Sequence, residues 1–219
     1  VLMIPSLLIG FGYGEREAFS FVIPMVILLI AGLIFGLKKP QNTVIYAREG
    51  FFLVAAAWIF MALIGALPFC ICGHFESVWD CIFEIVSGFT TTGATVLKNP
   101  GALPKCILFW RSFSHWIGGM GVLVFLVAIL PLSGSNNLFL VKAESTGPSV
   151  SKLVPGVKAS AKILYGLYIG LSVVQAILLL CGGMNLYEAI TITFGTAGTG
   201  GFGIANASVA DYSPYCQYV

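Results

Sequence analysis

Four stretches of this chain, residues 19–37, 51–67, 107–130 and 161–180, are predominantly apolar over close to the ~18 to 20 residues that cross a bilayer's hydrocarbon core. Stretches of that length admit few folds. With 58% of residues hydrophobic, 9% charged and a mean hydropathy of +0.97, the chain lacks the polar surface to cover a soluble globule, so lipid must serve as part of its solvent. The sequence therefore reads as an all-α integral membrane protein with four full spans. Residues 1–11 are apolar as well, too short to span and without the basic flank and small-residue cleavage site of a signal peptide. They read as the last turns of a helix that begins earlier.

The placement of charge gives an orientation. Residues 38–49 and the connector around residues 132–158 hold Lys38, Lys39, Arg48, Lys142, Lys152 and Lys158, with Lys162 just beyond, seven of the eleven basic residues. The positive-inside tendency puts both connectors in the cytoplasm. The remaining connectors then face outward, carrying Glu15, Glu17, Glu76, Asp80, Glu84, Glu188 and Asp211, seven of the nine acids. Such an outer vestibule would gather cations through a field that salt screens; taken singly, each acid is equally an ordinary solvated loop charge.

Between the second and third spans lies Ser87-Gly88-Phe89-Thr90-Thr91-Thr92-Gly93-Ala94-Thr95, and after the fourth lies Thr196-Ala197-Gly198-Thr199-Gly200-Gly201-Phe202-Gly203. Each run follows a helix-compatible segment too short to span, residues 78–86 and 186–194, with an early acid at Asp80 or Glu188. Both segments read as re-entrant half-helices. Counting from the acid to the loop glycine gives thirteen positions to Gly93 and twelve to Gly200, so the two copies are expected to differ by one residue. Non-helical backbone at membrane depth is tolerated only where protein buries it or where it lines a water-filled path. The two loops are therefore the expected lining of an ion pathway.

Their chemistry fits a cation. Glycine admits positive φ, so successive carbonyls can turn toward one axis and replace an ion's hydration shell. A half-helix whose C-terminal end points at the loop adds a partial negative charge. Thr90, Thr91, Thr92 and Thr199 either add hydroxyl ligands or bond neighbouring backbone. Arg111, near the outer end of the third span, either snorkels to the interface or pairs inward; for a pair, Glu84 of the first half-helix is the first choice, and it would support the filter.

These runs, together with Phe109-Trp110-Arg111-Ser112, Trp116-Ile117-Gly118-Gly119-Met120-Gly121 and Ala128-Ile129-Leu130-Pro131, resemble the TrkH-type pore subunits of the Trk/Ktr/HKT potassium transporter superfamily, in order and over nearly the whole chain. The resemblance implies helix–pore-helix–helix repeats with re-entrant filter loops around one potassium path, in a bacterial inner membrane with the loops opening outward. Thr91, Thr92, Gly93 and Ala94 would be filter residues of the first repeat, and Thr199, Gly200 and Gly201 of the second. Transported K+ would be held through Thr92, Gly93, Thr199 and Gly200. The resemblance also implies a homodimer of pore subunits and a cytosolic, nucleotide-binding, Trk-A-like regulatory subunit, for which residues 132–158 are the candidate contact. Four such repeats are expected in that family. Residues 1–48 would then be preceding helices, 49–131 the first complete repeat, 132–158 a cytoplasmic connector and 159–219 an incomplete second repeat, truncated after its pore loop. The alternatives are a non-transporting membrane scaffold and a Na+-permeable member of the same superfamily.

Other patterns carry less. Gly198-x-Gly200-x-x-Gly203 matches a dinucleotide fingerprint in spacing alone, without the strand, helix and acid that such a site needs. Gly118, Gly119 and Gly121 read as helix-packing positions, with contact to a filter backbone as the second reading. His115 reads as a packed or interface histidine rather than a proton relay. Cys70, Cys72, Cys81, Cys106, Cys181 and Cys216 read as small packing residues, with an outer disulfide through Cys81 or Cys216 left open. No Ser/His/Asp arrangement or paired carboxylate is visible, so no enzymatic activity, organic cofactor or nucleic-acid partner is expected.

Overall fold

The computed structural model describes residues 1–37, 47–121 and 157–219. Every regular element among them is helical. Helix α1 spans Ile4–Tyr13 and α2 spans Val22–Gly36, entered through a 3-10 turn at Arg16–Phe21. Helix α3 spans Ala47–Cys72, α4 Val78–Phe89, α5 Lys105–Gly119, α6 Val157–Cys181, α7 Leu186–Ala197 and α8 Pro214–Tyr218.

Three helical stretches among the described residues are long and apolar enough to cross a membrane: Arg16–Ile34, Ala55–Cys72 and Lys162–Cys181. Their outward surfaces are apolar, as for Leu29, Ile59, Leu63, Leu167 and Leu171, which lie exposed. The fourth expected span, 107–130, is described as α5 and through residue 121, and the connector 132–158, expected in the cytoplasm, lies almost wholly outside the described residues. At the other end, α1 carries Pro5 in its first turn, where a missing N–H costs nothing.

Helix α5 is the centre of the assembly. It packs against α1, α4 and α7, and its own residues from Cys106 to His115 are all buried. Its aromatic face receives a ring from α7. Phe194 of α7 sits 5.5, 5.1 and 5.3 Å from the rings of Phe109, Phe113 and Trp116. On the other side Trp110 meets Phe89 of α4 edge-on at 6.2 Å and donates from Nε1 to the Gly65 carbonyl of α3 at 3.0 Å. Toward α6, Trp116 Nε1 donates to Ser172 Oγ and Tyr168 donates its hydroxyl to the Trp116 carbonyl. These donors satisfy aromatic polar groups that burial would otherwise leave costly.

The start of α5 is held from a distance. Pro104 occupies its N-cap and offers no side-chain acceptor. The carboxylate of Glu15 accepts instead, from Lys105 N at 2.7 Å and Cys106 N at 2.9 Å, ninety residues away in sequence. Lys105 Nζ lies 3.7 Å from the Tyr13 ring centroid, and Tyr187 of α7 donates its hydroxyl to the Lys105 carbonyl. One residue cluster thus joins α1, α5 and α7 at the same end.

All six cysteines are free. Cys81 is buried in the main core and Cys216 Sγ lies 3.4 Å from the Gly182 carbonyl, so packing accounts for both. Because Glu15 caps two orphan N–H groups with a charged acceptor, Glu15→Ala is expected to cost about 1–3 kcal/mol of stability. In detergent its thermal midpoint should fall clearly below that of Glu76→Ala, which removes only an exposed pair with Lys98; equal midpoints would contradict the capping role.

Candidate ion-filter site

Each short helix is started by a side-chain cap. Ser77 accepts from Asp80 N at 3.2 Å while Asp80 accepts from Ser77 N at 3.1 Å, a reciprocal capping box at the head of α4. Asn185 accepts from Glu188 N at 2.9 Å at the head of α7. The early acid shared by the two segments therefore belongs to the helix start, where Asp80 bonds backbone and both carboxylates sit favourably in the first turn. Asp80 and Glu188 are fixed at the far ends of these helices from the loops.

The other ends are built alike, bond for bond. In the first loop Thr90 N donates to the Val86 carbonyl, Thr91 N to Gly88 and Thr92 N to Ser87. In the second, Gly198 N donates to Phe194, Thr199 N to Thr196 and Gly200 N to Gly195. Each residue of the second set stands 108 positions after its counterpart. The left-handed positions follow the same spacing, with Thr91 at φ 54° and Gly93 at 74°, and Thr199 at 60° and Gly201 at 75°. Gly201, not Gly200, is the backbone counterpart of Gly93, and the expected one-residue difference between copies is absent.

Threonine is β-branched and resists positive φ, at a cost of order 1–3 kcal/mol. Both loops hold a threonine there, at matching places. Helix α8 follows the second loop at the spacing at which α5 follows the first, within one residue.

The two loops meet. The Gly200 carbonyl oxygen lies where a Cβ on Gly93 would stand, so neither backbone could approach as closely with a side chain at residue 93. Thr92, Ala94, Thr199 and Gly201 are exposed, while Thr91, Gly93 and Gly200 are half-buried. Two of the threonine hydroxyls have local partners: Thr90 Oγ1 lies 2.7 Å from the Val86 carbonyl and 2.8 Å from Thr92 Oγ1. Ser87 Oγ donates to the Ala94 carbonyl at 2.6 Å, tying the loop back to its own helix.

Arg111 joins the two units. Its Nε is 2.5 Å from Glu84 Oε1, and both side chains are essentially inaccessible to solvent. Glu84 Oε1 also accepts from Thr95 Oγ1 at 2.8 Å, and Glu84 Oε2 accepts from Val96 N at 3.1 Å. The guanidinium turns its other side to the second loop, donating from Nη1 to the Gly203 carbonyl at 2.9 Å and lying 3.5 Å from the Phe202 ring centroid. The structure thus brings Arg111 and Glu84 together and adds Thr95, Phe202 and Gly203, which the sequence did not flag. Gly118 and Gly119 pack against the Phe89 backbone and Gly198, respectively. They combine both readings given to them, helix packing and contact with the loops.

Apolar spans, capped short helices and paired loops with non-helical backbone define a multi-pass, all-helical membrane protein organised around a duplicated helix-and-loop unit. A family profile described as TrkH, cation transport protein, matches residues 17–219, and the chain belongs to that family. The Trk system potassium uptake protein TrkH of Vibrio parahaemolyticus is 36% identical over 219 residues, covering 98% of this chain and 45% of the relative. Its counterpart in Escherichia coli K12 is 36% identical over 211 residues, covering 95% and 44%. An uncharacterized cation transporter of Methanocaldococcus jannaschii is 32% identical over 208 residues, covering 94% and 43%. A crystal structure of the potassium transporter TrkH from V. parahaemolyticus superposes with a TM-score of 0.79 at 32% identity, over 99% of this chain and 44% of that one. The chain spans somewhat less than half the length of these relatives.

Removing one partner of a buried ion pair strands the other charge, at about 3–5 kcal/mol. Glu84→Ala and Arg111→Ala should each lower the thermal midpoint far more than Thr95→Val, which loses one hydrogen bond worth about 1 kcal/mol. The double variant Glu84→Leu/Arg111→Met should recover much of the loss; single variants no worse than Thr95→Val would contradict the account.

Proposed function

We propose that the two Thr/Gly loops are two segments of a potassium filter, in a pore-forming subunit of a K+ uptake system. Backbone carbonyls around Thr92-Gly93 and Thr199-Gly200, with Thr91, Ala94 and Gly201 beside them, replace water around a dehydrated K+. The observation that carries this reading is the duplication itself: one strained turn, with the same three hydrogen bonds and the same left-handed positions, made twice and brought into contact at Gly93 and Gly200. Each loop also lies at the C-terminal end of a short helix, where the macrodipole favours a cation. Arg111 and Glu84 act here as filter support, holding the first loop through Thr95 and Val96 and the second through Gly203.

The same reading assigns residues 1–48 to helices preceding the first repeat, 49–131 to that repeat, 132–158 to a connector and 159–219 to the second repeat. It orients the basic connectors 38–49 and 132–158 toward the cytoplasm, with the loops opening outward, in keeping with the distribution of Lys and Arg. The working unit in this proposal is a homodimer with a nucleotide-binding, Trk-A-like regulatory subunit on the cytosolic side. This rests on the resemblance and on relatives named as Trk system proteins.

The test is transport by the complete protein in a host deficient in potassium uptake. Gly93→Ser, Gly200→Ser and Gly201→Ser should each abolish uptake or erase the preference for K+ over Na+. Gly183→Ser, which alters a positive-φ glycine away from the loops, should leave both intact. Unchanged uptake and preference in all four variants would remove the loops as the filter, and no uptake by the wild type would favour a non-transporting scaffold.

A further inference from the structure

One buried side chain beside the loops is used by neither the ion pair nor the helix caps. His115 lies on α5 one turn after Arg111, has no solvent exposure, and neither Nδ1 nor Nε2 has a hydrogen-bond partner. Its ring centroid is 3.9 Å from that of Phe202, with the planes inclined by 37°. Phe202 therefore touches α5 twice, through the Arg111 guanidinium and through the His115 imidazole. The ring also occupies the space that a Cβ on Gly200 would take, and the His115 backbone carbonyl and Cβ do the same for Gly198. Gly200 in turn presses its carbonyl against Gly93. A line of contact runs from His115 through Gly200 to the first loop.

We infer that His115 is a positioning residue for ion discrimination: its ring is the wedge beneath the second loop that sets where the Gly200 carbonyl stands relative to Gly93. This deepens the filter reading and rests on it. The imidazole meets Gly200 and Phe202 with its flat ring, so shape is what it contributes to the loop. A ring of similar shape without polar atoms can replace it. Truncation leaves a void under a loop already held in left-handed geometry, and cores collapse only partly into such voids. The Gly200 carbonyl then loses its fixed distance from Gly93.

The experiment compares His115→Ala, His115→Leu and His115→Phe in the complete protein, measuring K+ and Na+ uptake alongside the thermal midpoint in detergent. His115→Ala should lower the K+ over Na+ preference by about tenfold, the factor that one modest contact represents. His115→Leu, bulky without a flat face, should also lose preference and supplies the reading if the alanine variant does not accumulate. His115→Phe should keep the preference and melt no lower than the wild type, a rescue that a general stability effect would not produce in the ion ratio. An unchanged ratio in folded His115→Ala or His115→Leu, or equal loss in His115→Phe, overturns the positioning role. Absence of selective uptake in the wild type would instead remove the filter reading itself.

Discussion

A guanidinium buried in an otherwise apolar helical body is the constraint around which this chain is arranged. Leaving Arg111 without partners inside the protein would cost several kcal/mol. Glu84 supplies the countercharge, and its remaining acceptor capacity is filled by Thr95 on the same oxygen and Val96 N on the other. The unused face of the guanidinium then meets the Gly203 carbonyl as acceptor, with the Phe202 ring beneath it. Satisfying one charge thus fixes the descent of both loops, although they are 108 residues apart.

The ion pair would be ineffective if α5 could slide or rotate. Glu15 holds its first N–H groups, Trp110 hangs it from Gly65, and Phe194 seats in the groove between Phe109, Phe113 and Trp116. These anchors lie on different faces of one helix, so they resist rotation as well as translation. With α5 held, Arg111 and His115 occupy fixed heights one turn apart, and the second loop has a fixed floor.

Much of this was legible in the residues, and the parts that were not have identifiable reasons. Arg111 in an apolar stretch, with Glu84 in a short amphipathic one, is a local imbalance that sequence displays, and the structure joins the two. The acids Asp80 and Glu188 were visible as a repeated feature, but a repeat does not reveal that they serve helix starts; the Ser77 and Asn185 three residues earlier were the signal for that. The register of the second loop was misread by one because Gly200 and Gly201 are adjacent, and composition cannot say which takes the left-handed conformation. Glu15 as the cap of α5 had no local signal beyond Pro104, which leaves the helix start without an acceptor of its own.

The pair of left-handed threonines explains why the duplication is more than a shared sequence pattern. If Thr91 and Thr199 were ordinary turn residues, glycine or asparagine would take the same φ at lower cost, since a β-branched side chain there is crowded. Their presence at matching positions in both loops is not explained by backbone ease. Among the described residues neither hydroxyl has a hydrogen-bond partner, whereas Thr90 and Thr92 do bond nearby groups. Strain of this kind persists where surrounding structure over-determines it, and the surroundings do so in each copy with three backbone hydrogen bonds to the preceding helix. Those bonds commit the amide N–H groups of residues 90–92 and 198–200 to the helix ends, leaving carbonyl oxygens as the polar atoms the turns have to offer. A loop that spends its donors internally and keeps its acceptors is suited to a cation and unsuited to an anion.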